Sequence, residues 1–268
     1  MKNVSAKSKL LLAVVIFVVT FSNKSYAQLS PPGLGEAKNA SWFAFGVRQS
    51  LDSLKQKEST TYVGVGLKSS PDENNPFSKM AILVINEEIS SRYSKNWEYS
   101  YALSYRRSSN YDPKAPYETL YPAIEQEFRL YGRYSYIREG NGLKWKNTVR
   151  GEFRKFFNPD FTSAEENFQL RTRLKTQLSL DLGSTKTHHI IGGAEVLFAI
   201  SKENEPEKQW SKFDYKESRL TLYYSLTPHE IPFIFDVGYM YNLIGKGSDI
   251  SDVNYLAFDV IWKNPFGT

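Results

Sequence analysis

The chain has 268 residues, of which 41% are hydrophobic and 15% aromatic, and it contains no cysteine, so disulfides, cysteine–metal sites and a lipid-modified N-terminal cysteine are excluded. Its formal net charge is +5, but four of the lysines lie in residues 1–27. The remaining residues carry 30 Lys and Arg against 29 Asp and Glu, so the charge gives no reason to expect nucleic acid as a partner.

Residues 1–27 have the pattern of a secretory signal peptide. Three lysines at positions 2, 7 and 9 precede an apolar run from Leu10 to Phe21, which is too short to span a membrane as a helix. The sequence Ser-Tyr-Ala at 25–27 fits a cleavage site, so we expect export with cleavage near Ala27. No later apolar stretch reaches the length of a membrane helix, which excludes a helical membrane protein.

Residues 28–40, which include two prolines and two glycines, are predicted to form an unstructured N-terminal segment. The rest of the chain, 41–268, shows alternating apolar and polar residues without helical periodicity, which predicts one all-β domain. The strand candidates are 41–50, 60–68, 79–92, 96–107, 120–138, 143–155, 166–182, 187–200, 212–226, 231–243 and 252–264.

The candidate at 166–182 is long enough to cross a bilayer, which takes about nine to eleven residues as a tilted strand. Tight turns alternate with longer polar loops along the chain, as in bacterial outer-membrane barrels, where the turns are periplasmic and the loops external. We therefore expect an antiparallel transmembrane β-barrel in the bacterial outer membrane, where the long loops would meet any external ligand.

A single-chain bacterial barrel needs an even number of strands. The eleven candidates therefore favour about twelve strands over ten, with the missed strand expected in residues 28–80.

Composition decides which face of the strands is outside. Aromatic and aliphatic side chains share one face, and tryptophan near segment ends suits an aromatic girdle at the membrane interface, here Trp97, Trp145, Trp210 and Trp262. Outer-membrane lipid is therefore the predicted partner of this face. The alternative is a soluble, lipocalin-like periplasmic barrel, which would be shorter and would turn its apolar face inwards.

The opposite, charged face would then line the lumen. We expect a lumen charge network formed by Glu125, Glu127, Arg129, Arg133, Lys144, Lys146, Arg150, Glu152, Arg154, Arg171, Arg173, Lys175, Glu195, Glu217, Arg219, Asp236 and Asp259. These charges could form a basic wall that attracts anions, as in an anion-selective porin. We favour a filled, salt-bridged lumen, because unpaired buried charges are costly. In it, Lys146, Arg150 and Arg171 would pair with Glu127, Glu152 and Glu195.

Five strand motifs combine arginine, glutamate and aromatic residues: Tyr-Arg-Arg-Ser (105–108), Glu-Gln-Glu-Phe-Arg-Leu-Tyr-Gly-Arg (125–133), Val-Arg-Gly-Glu-Phe-Arg (149–154), Leu-Arg-Thr-Arg (170–173) and Asp-Val-Gly-Tyr-Met-Tyr-Asn (236–242). In these motifs the chain resembles a family of bacterial envelope proteins catalogued as a domain of unknown function (number two-four-nine-zero). The resemblance covers about residues 40–266 and implies an outer-membrane barrel without an established activity.

The end of the chain fits recognition by the barrel-assembly machinery. An amphipathic last strand carries Trp262, and Phe266 follows it, so either aromatic could serve as the assembly signal, although Gly267 and Thr268 come after both.

An enzyme is the remaining alternative, in particular an outer-membrane lipid-modifying hydrolase. His188 and His189 are adjacent on a strand and should point to opposite faces, while His229 lies in a turn, so they cannot share a metal or a nucleophile. Glu125 and Glu127 share a face at a spacing that acid–base chemistry could use, but the arginines beside them make ion pairing the better explanation. We therefore expect a non-enzymatic barrel without cofactor or metal, with either a structural role or a narrow pore.

Overall fold

A computed structural model describes residues 29, 31–204, 209–247 and 249–267 of the chain. These residues form twelve β-strands and no helix. The strands are β1 (Asn39–Ser50), β2 (Lys57–Lys68), β3 (Lys79–Arg92), β4 (Trp97–Tyr111), β5 (Thr119–Gly140), β6 (Leu143–Phe157), β7 (Ser163–Leu182), β8 (His188–Glu203), β9 (Gln209–Trp210), β10 (Asp214–Leu226), β11 (Phe233–Ile244) and β12 (Ser251–Lys263). The predicted signal peptide lies outside the described residues.

Eleven of the strands form one closed barrel wall. Neighbours from β1 to β8 pair antiparallel, β8 then pairs with β10, and β10, β11 and β12 continue the wall. The barrel closes where β12 pairs in parallel with β1, with Phe258 opposite Phe43. Because strand direction alternates around the wall, an odd number of strands requires one such parallel pair.

The prediction of an all-β barrel with about twelve strands is confirmed, and the eleven candidate segments are the eleven strands of the wall. The twelfth strand, β9, is a two-residue strand that pairs only with the end of β8. It does not lie in residues 28–80, where we expected it. The parallel closure is the physical reason why an even number is not needed here.

The connections fall at two ends of the barrel, as the alternation of turns and loops predicted. The turn end contains the connections 51–56, 93–96, 141–142, 183–187 and 227–232. The loop end contains 69–78, 112–118, 158–162, the β8–β10 connection with β9, and 245–250. Since β1 starts at the loop end and β12 ends at the turn end, the chain enters and leaves the wall at opposite ends.

The described residues before β1 lie inside the barrel. Residues 29 and 31–38, called here the N-terminal segment, form neither helix nor strand, but Leu29, Leu34 and Ala37 are buried in the main apolar core. Leu29 approaches Gly46, near the middle of β1. The segment therefore runs from the loop end into the lumen, a location that the sequence did not predict.

Candidate functional site

The wall presents opposite kinds of side chain to its two sides. On β7, Leu174 and Leu178 are 46% and 50% exposed on the outside, whereas the neighbouring Arg173 is 5% exposed and faces the lumen. Phenylalanine, leucine, tyrosine and valine side chains are exposed in the same way on strands all around the barrel. None of the residues predicted to line the lumen is exposed. The outer surface is therefore mainly an apolar belt, and the charged groups predicted to line the lumen lie within.

Aromatic rings border this belt at both ends. At the turn end, Trp97 contacts Tyr134 and Tyr136 with ring centroids 5.0 Å apart. At the loop end, Phe168 lies 4.0 Å from Phe153 and 6.0 Å from Trp210. All four predicted girdle tryptophans, Trp97, Trp145, Trp210 and Trp262, are partly exposed on the outside.

The distance between the two aromatic borders can be estimated from β6. Trp145 and Phe157 face outwards twelve residues apart, which is about 40 Å along a strand, or about 28 Å along the axis of a barrel tilted by about 45°. The apolar band of outer-membrane barrels is about 25 Å tall. The belt is interrupted at Glu87, an outward carboxylate that accepts hydrogen bonds from Ser59 and Thr61.

Glu152 is the centre of the charged part of the lumen. Its side chain is fully buried, and three guanidinium groups approach it, with N···O distances of 3.0 Å to Arg129 and 2.7 Å each to Arg150 and Arg173. These contacts are close ion pairs without aligned hydrogen bonds. Glu127, on the adjacent strand, accepts hydrogen bonds from Arg129 at 2.6 Å and from Arg154 at 2.6 and 2.8 Å.

The network continues across the lumen to the N-terminal segment. Arg173 contacts Glu195 at 2.9 Å, and Glu195 lies 3.5 Å from Arg219. Arg219 pairs with Glu217 and also donates a hydrogen bond to the carbonyl oxygen of Pro31 at 3.2 Å. Ion pairs and hydrogen bonds therefore connect β5, β6, β7, β8 and β10 to the segment inside the barrel. A connected network of this kind makes a polar interior more rigid when its members have hydrogen-bond or ion-pair partners.

Nearer the turn end, the basic residues pair with carboxylates that were not predicted to line the lumen. Lys146 contacts Glu98 at 2.5 Å, and Arg133 contacts Glu88 at 3.2 Å. Lys144 contacts Glu139 at 3.3 Å. The alternation on β3 and β4 could have identified Glu88 and Glu98, since both lie opposite an apolar face.

The predicted pairing is therefore right for Arg150 with Glu152 and wrong for the other two cations. Lys146 pairs with Glu98 because these residues are brought together across the curved wall. Arg171 donates to the amide oxygen of Gln169, its neighbour on the same face, and lies in no ion pair among the described residues.

Three carboxylates of the predicted network also stand apart from the ion pairs. Asp259 accepts a hydrogen bond at 3.0 Å from the indole nitrogen of Trp42, which is fully buried. Asp236 lies beside Asp259 in the register of β11 and β12. Glu125 is half-buried near the loop end and forms no ion pair with another described residue. On the side of the lumen formed by β1 and β12, the buried residues are mainly apolar.

The N-terminal segment fills this apolar part. The backbone nitrogen of Leu34 donates to the hydroxyl of Tyr255 at 2.9 Å, and Lys68 donates to the carbonyl of Leu34 at 2.9 Å. A Cβ atom on Gly66 would lie 2.9 Å from the Leu34 side chain, so any larger residue at this position would require that side chain to shift. The segment therefore packs directly on the wall.

The histidines do not come together. His188 is exposed and hydrogen-bonds to Tyr224, whereas His189 is buried and contacts Asp181 at 2.9 Å, so the two rings lie on opposite sides of the wall as predicted. His229 contacts the carbonyl of Thr185 in a neighbouring turn. All three lie at the turn end. Glu127, the other candidate for acid–base chemistry, is held by two arginines.

No protein-family model matches the sequence, and comparison with curated proteins gives no match. The resemblance to the envelope-protein family therefore remains a prediction. The described residues contain no helix that is both long and apolar enough to cross a membrane.

Proposed function

We propose that this protein is a non-enzymatic outer-membrane β-barrel with a closed lumen, which has a structural or surface role and presents its loop end to the outside. The observation that carries the proposal is the combination of an apolar, aromatic-bordered outer surface with a charged interior. A water-soluble barrel would be expected to bury its apolar side chains and expose its charged ones.

The exposed apolar surface is too extensive for a soluble monomer. Leucine, phenylalanine and tyrosine side chains with exposures of about one half recur on neighbouring strands around the wall. Soluble monomers rarely expose contiguous apolar patches of more than a few hundred Å². Surrounding lipid would cover the whole belt, and tyrosine and tryptophan at its borders would lie at the height of the head groups.

Two parts of the barrel interior support a closed lumen. The arginine–glutamate network fills the side formed by β5 to β8, and the N-terminal segment fills the side formed by β1, β2 and β12. Trp42 is fully buried in the same apolar core as Leu29, Leu34 and Ala37. Because the segment is tied to the network through Arg219, the two parts close the lumen together.

A narrow anion-selective pore is the second candidate. One observation favours it: seven lysines and arginines but four glutamates line a cavity of about 120 Å³ within the lumen. Such an excess of positive charge would attract anions if the cavity were continuous with both ends.

Cell fractionation and conductance measurements test the proposal. The folded protein should be recovered with the outer membrane and should extract only in detergent. Recovery of native protein in the soluble periplasmic fraction would contradict the membrane assignment. In a planar bilayer, the purified protein should give no stepwise current, whereas a stable anion-selective current would favour the pore.

A further inference from the structure

The cavity in the charged part of the lumen has the properties of a binding site. Its lining reaches from Glu58, Ser90 and Glu98, close to the turn end of their strands, to Arg106 and Arg219 in the middle of the barrel. Pro31 and Pro32 of the N-terminal segment form one side. Its volume of about 120 Å³ suits a small molecule or several waters.

Arg106 is the unusual member of this lining. It is 8% exposed, its Nε atom has no hydrogen-bond acceptor, and no carboxylate of the described residues lies within ion-pair distance of its guanidinium. A buried charge without a partner is costly, by several kcal/mol where desolvation is complete. A guanidinium that the fold leaves unpaired beside a cavity is well placed to bind an anion from solution.

The carboxylates that attract Arg106 most strongly, Glu127 and Glu152, are already engaged. Glu127, the register partner of Arg106 on β5, is held by Arg129 and Arg154. Glu152 is shared by three other arginines. A change of rotamer in Arg106 could therefore gain a carboxylate only by displacing another cation.

Glu58 is the cavity carboxylate with no ion pair among the described residues. It lies too far from Arg106 to pair with it. In the register of β2, β3 and β4, Glu58 is level with Ser90 and Ser100. Arg106 lies six residues further along β4 than Ser100, which is about 20 Å. The excess positive charge is thus concentrated at the inner part of the cavity.

We propose that this cavity binds a small oxyanion, such as phosphate or a carboxylate, with Arg106 as its principal ligand. The planar guanidinium offers paired N–H donors that match two oxygens of one anion. The anion enters from the turn end and completes the charge balance of the lumen. The site is independent of the proposed function, because a plugged barrel and a pore would both contain it.

Calorimetric titration of the purified full-length protein in detergent at low salt tests the site, with inorganic phosphate and succinate as separate probes. The wild type should bind at least one of them saturably, and the stronger response identifies phosphate or carboxylate as the preferred chemistry. Arg106→Gln should weaken binding by about tenfold or more. The matched control is Arg107→Gln, because Arg107 is the next residue on the strand and is exposed on the outer face. It should bind as the wild type does.

Thermal stability gives a second measurement. Arg106→Gln removes an unpaired buried charge, so this variant should melt at or above the temperature of the wild type in anion-free buffer. Phosphate should raise the melting temperature of the wild type but not of the variant. If Arg106→Gln fails to fold, Arg106→Lys keeps the charge but loses the paired donors, and it should bind more weakly than the wild type. The absence of saturable binding of either anion to the wild type, or equal binding by Arg106→Gln, would overturn the proposal.

Discussion

The Nη1 atom of Arg219 donates a hydrogen bond to the carbonyl oxygen of Pro31, with the two atoms 3.2 Å apart. One residue therefore belongs both to the ion-pair network on the wall and to the contact surface of the N-terminal segment. A Cβ atom on Gly33 would lie 2.9 Å from the same guanidinium, so the backbone passes very close to it. The position of the segment and the order of the network are consequently expected to depend on each other.

Glu152→Gln should be strongly destabilising, because it removes the carboxylate shared by Arg129, Arg150 and Arg173. The three buried cations would then surround a neutral side chain. The expected loss in the free energy of unfolding is on the order of 3–5 kcal/mol. Urea-induced unfolding in lipid vesicles, followed by tryptophan fluorescence, measures it. Glu165→Gln is the matched control, since this side chain is exposed on β7. It should change the free energy by about 0.5 kcal/mol or less. Equal stability of the two variants would refute the importance of the network.

Leu174→Arg should destabilise the barrel through lipid contact. Leu174 lies near the middle of β7 and is 46% exposed on the outer surface. An arginine at the membrane midplane costs about 2–4 kcal/mol, but only about 0–1 kcal/mol near the interface. Leu182→Arg, at the turn end of the same strand, is the control. Unfolding in vesicles should give a clearly larger loss for position 174. Similar losses at the two positions would count against a membrane around the belt.

Deletion of residues 31–37 should open the lumen. The deletion removes Leu34, Ala37 and the acceptor of the Arg219 hydrogen bond, and water would then replace the segment along the wall. We expect the wild type to give little or no current in a planar bilayer and the deletion variant to give stable conductance steps. Deletion of Asp72 and Glu73, which are exposed in the connection between β2 and β3 at the same end, is the control and should leave the lumen closed. A deletion variant that folds without conducting would show that the charged network closes the lumen alone.

Engineered cysteines should report the parallel closure of the barrel. The chain has no cysteine, so a double variant Phe43→Cys, Phe258→Cys introduces one pair on the outer face of β1 and β12, where the two positions are register partners. Mild oxidation or a short bifunctional reagent should crosslink this pair within one chain, which gel electrophoresis detects. The double variant Phe43→Cys, Leu220→Cys places the second thiol on β10 and should not crosslink. If the cysteines at positions 43 and 258 did not crosslink, the wall would have to close between other strands.

Most of the wall could be predicted from the sequence, because the two-residue alternation of a strand is a local property. On β7, the positions of Leu174 outside and Arg173 inside follow from their neighbours alone, since a shift by one residue would turn every side chain over. The same reasoning predicted which charged residues face the lumen. It also separated His188 from His189, which lie on opposite sides of the wall.

The partners across the lumen depended on the tertiary structure. Lys146 and Glu98 are 48 residues apart, and they meet because the curvature of the closed wall brings β6 and β4 side chains together. Alternation says nothing about that curvature. The parallel pairing of β1 with β12 and the location of the N-terminal segment are likewise decided only when the wall closes. The sequence alone thus determined the strands and the two faces of each one, because these are set by adjacent residues. The tertiary structure decided how the barrel closes, where the N-terminal segment lies and which ion pairs form, because these depend on distances between residues far apart in the chain.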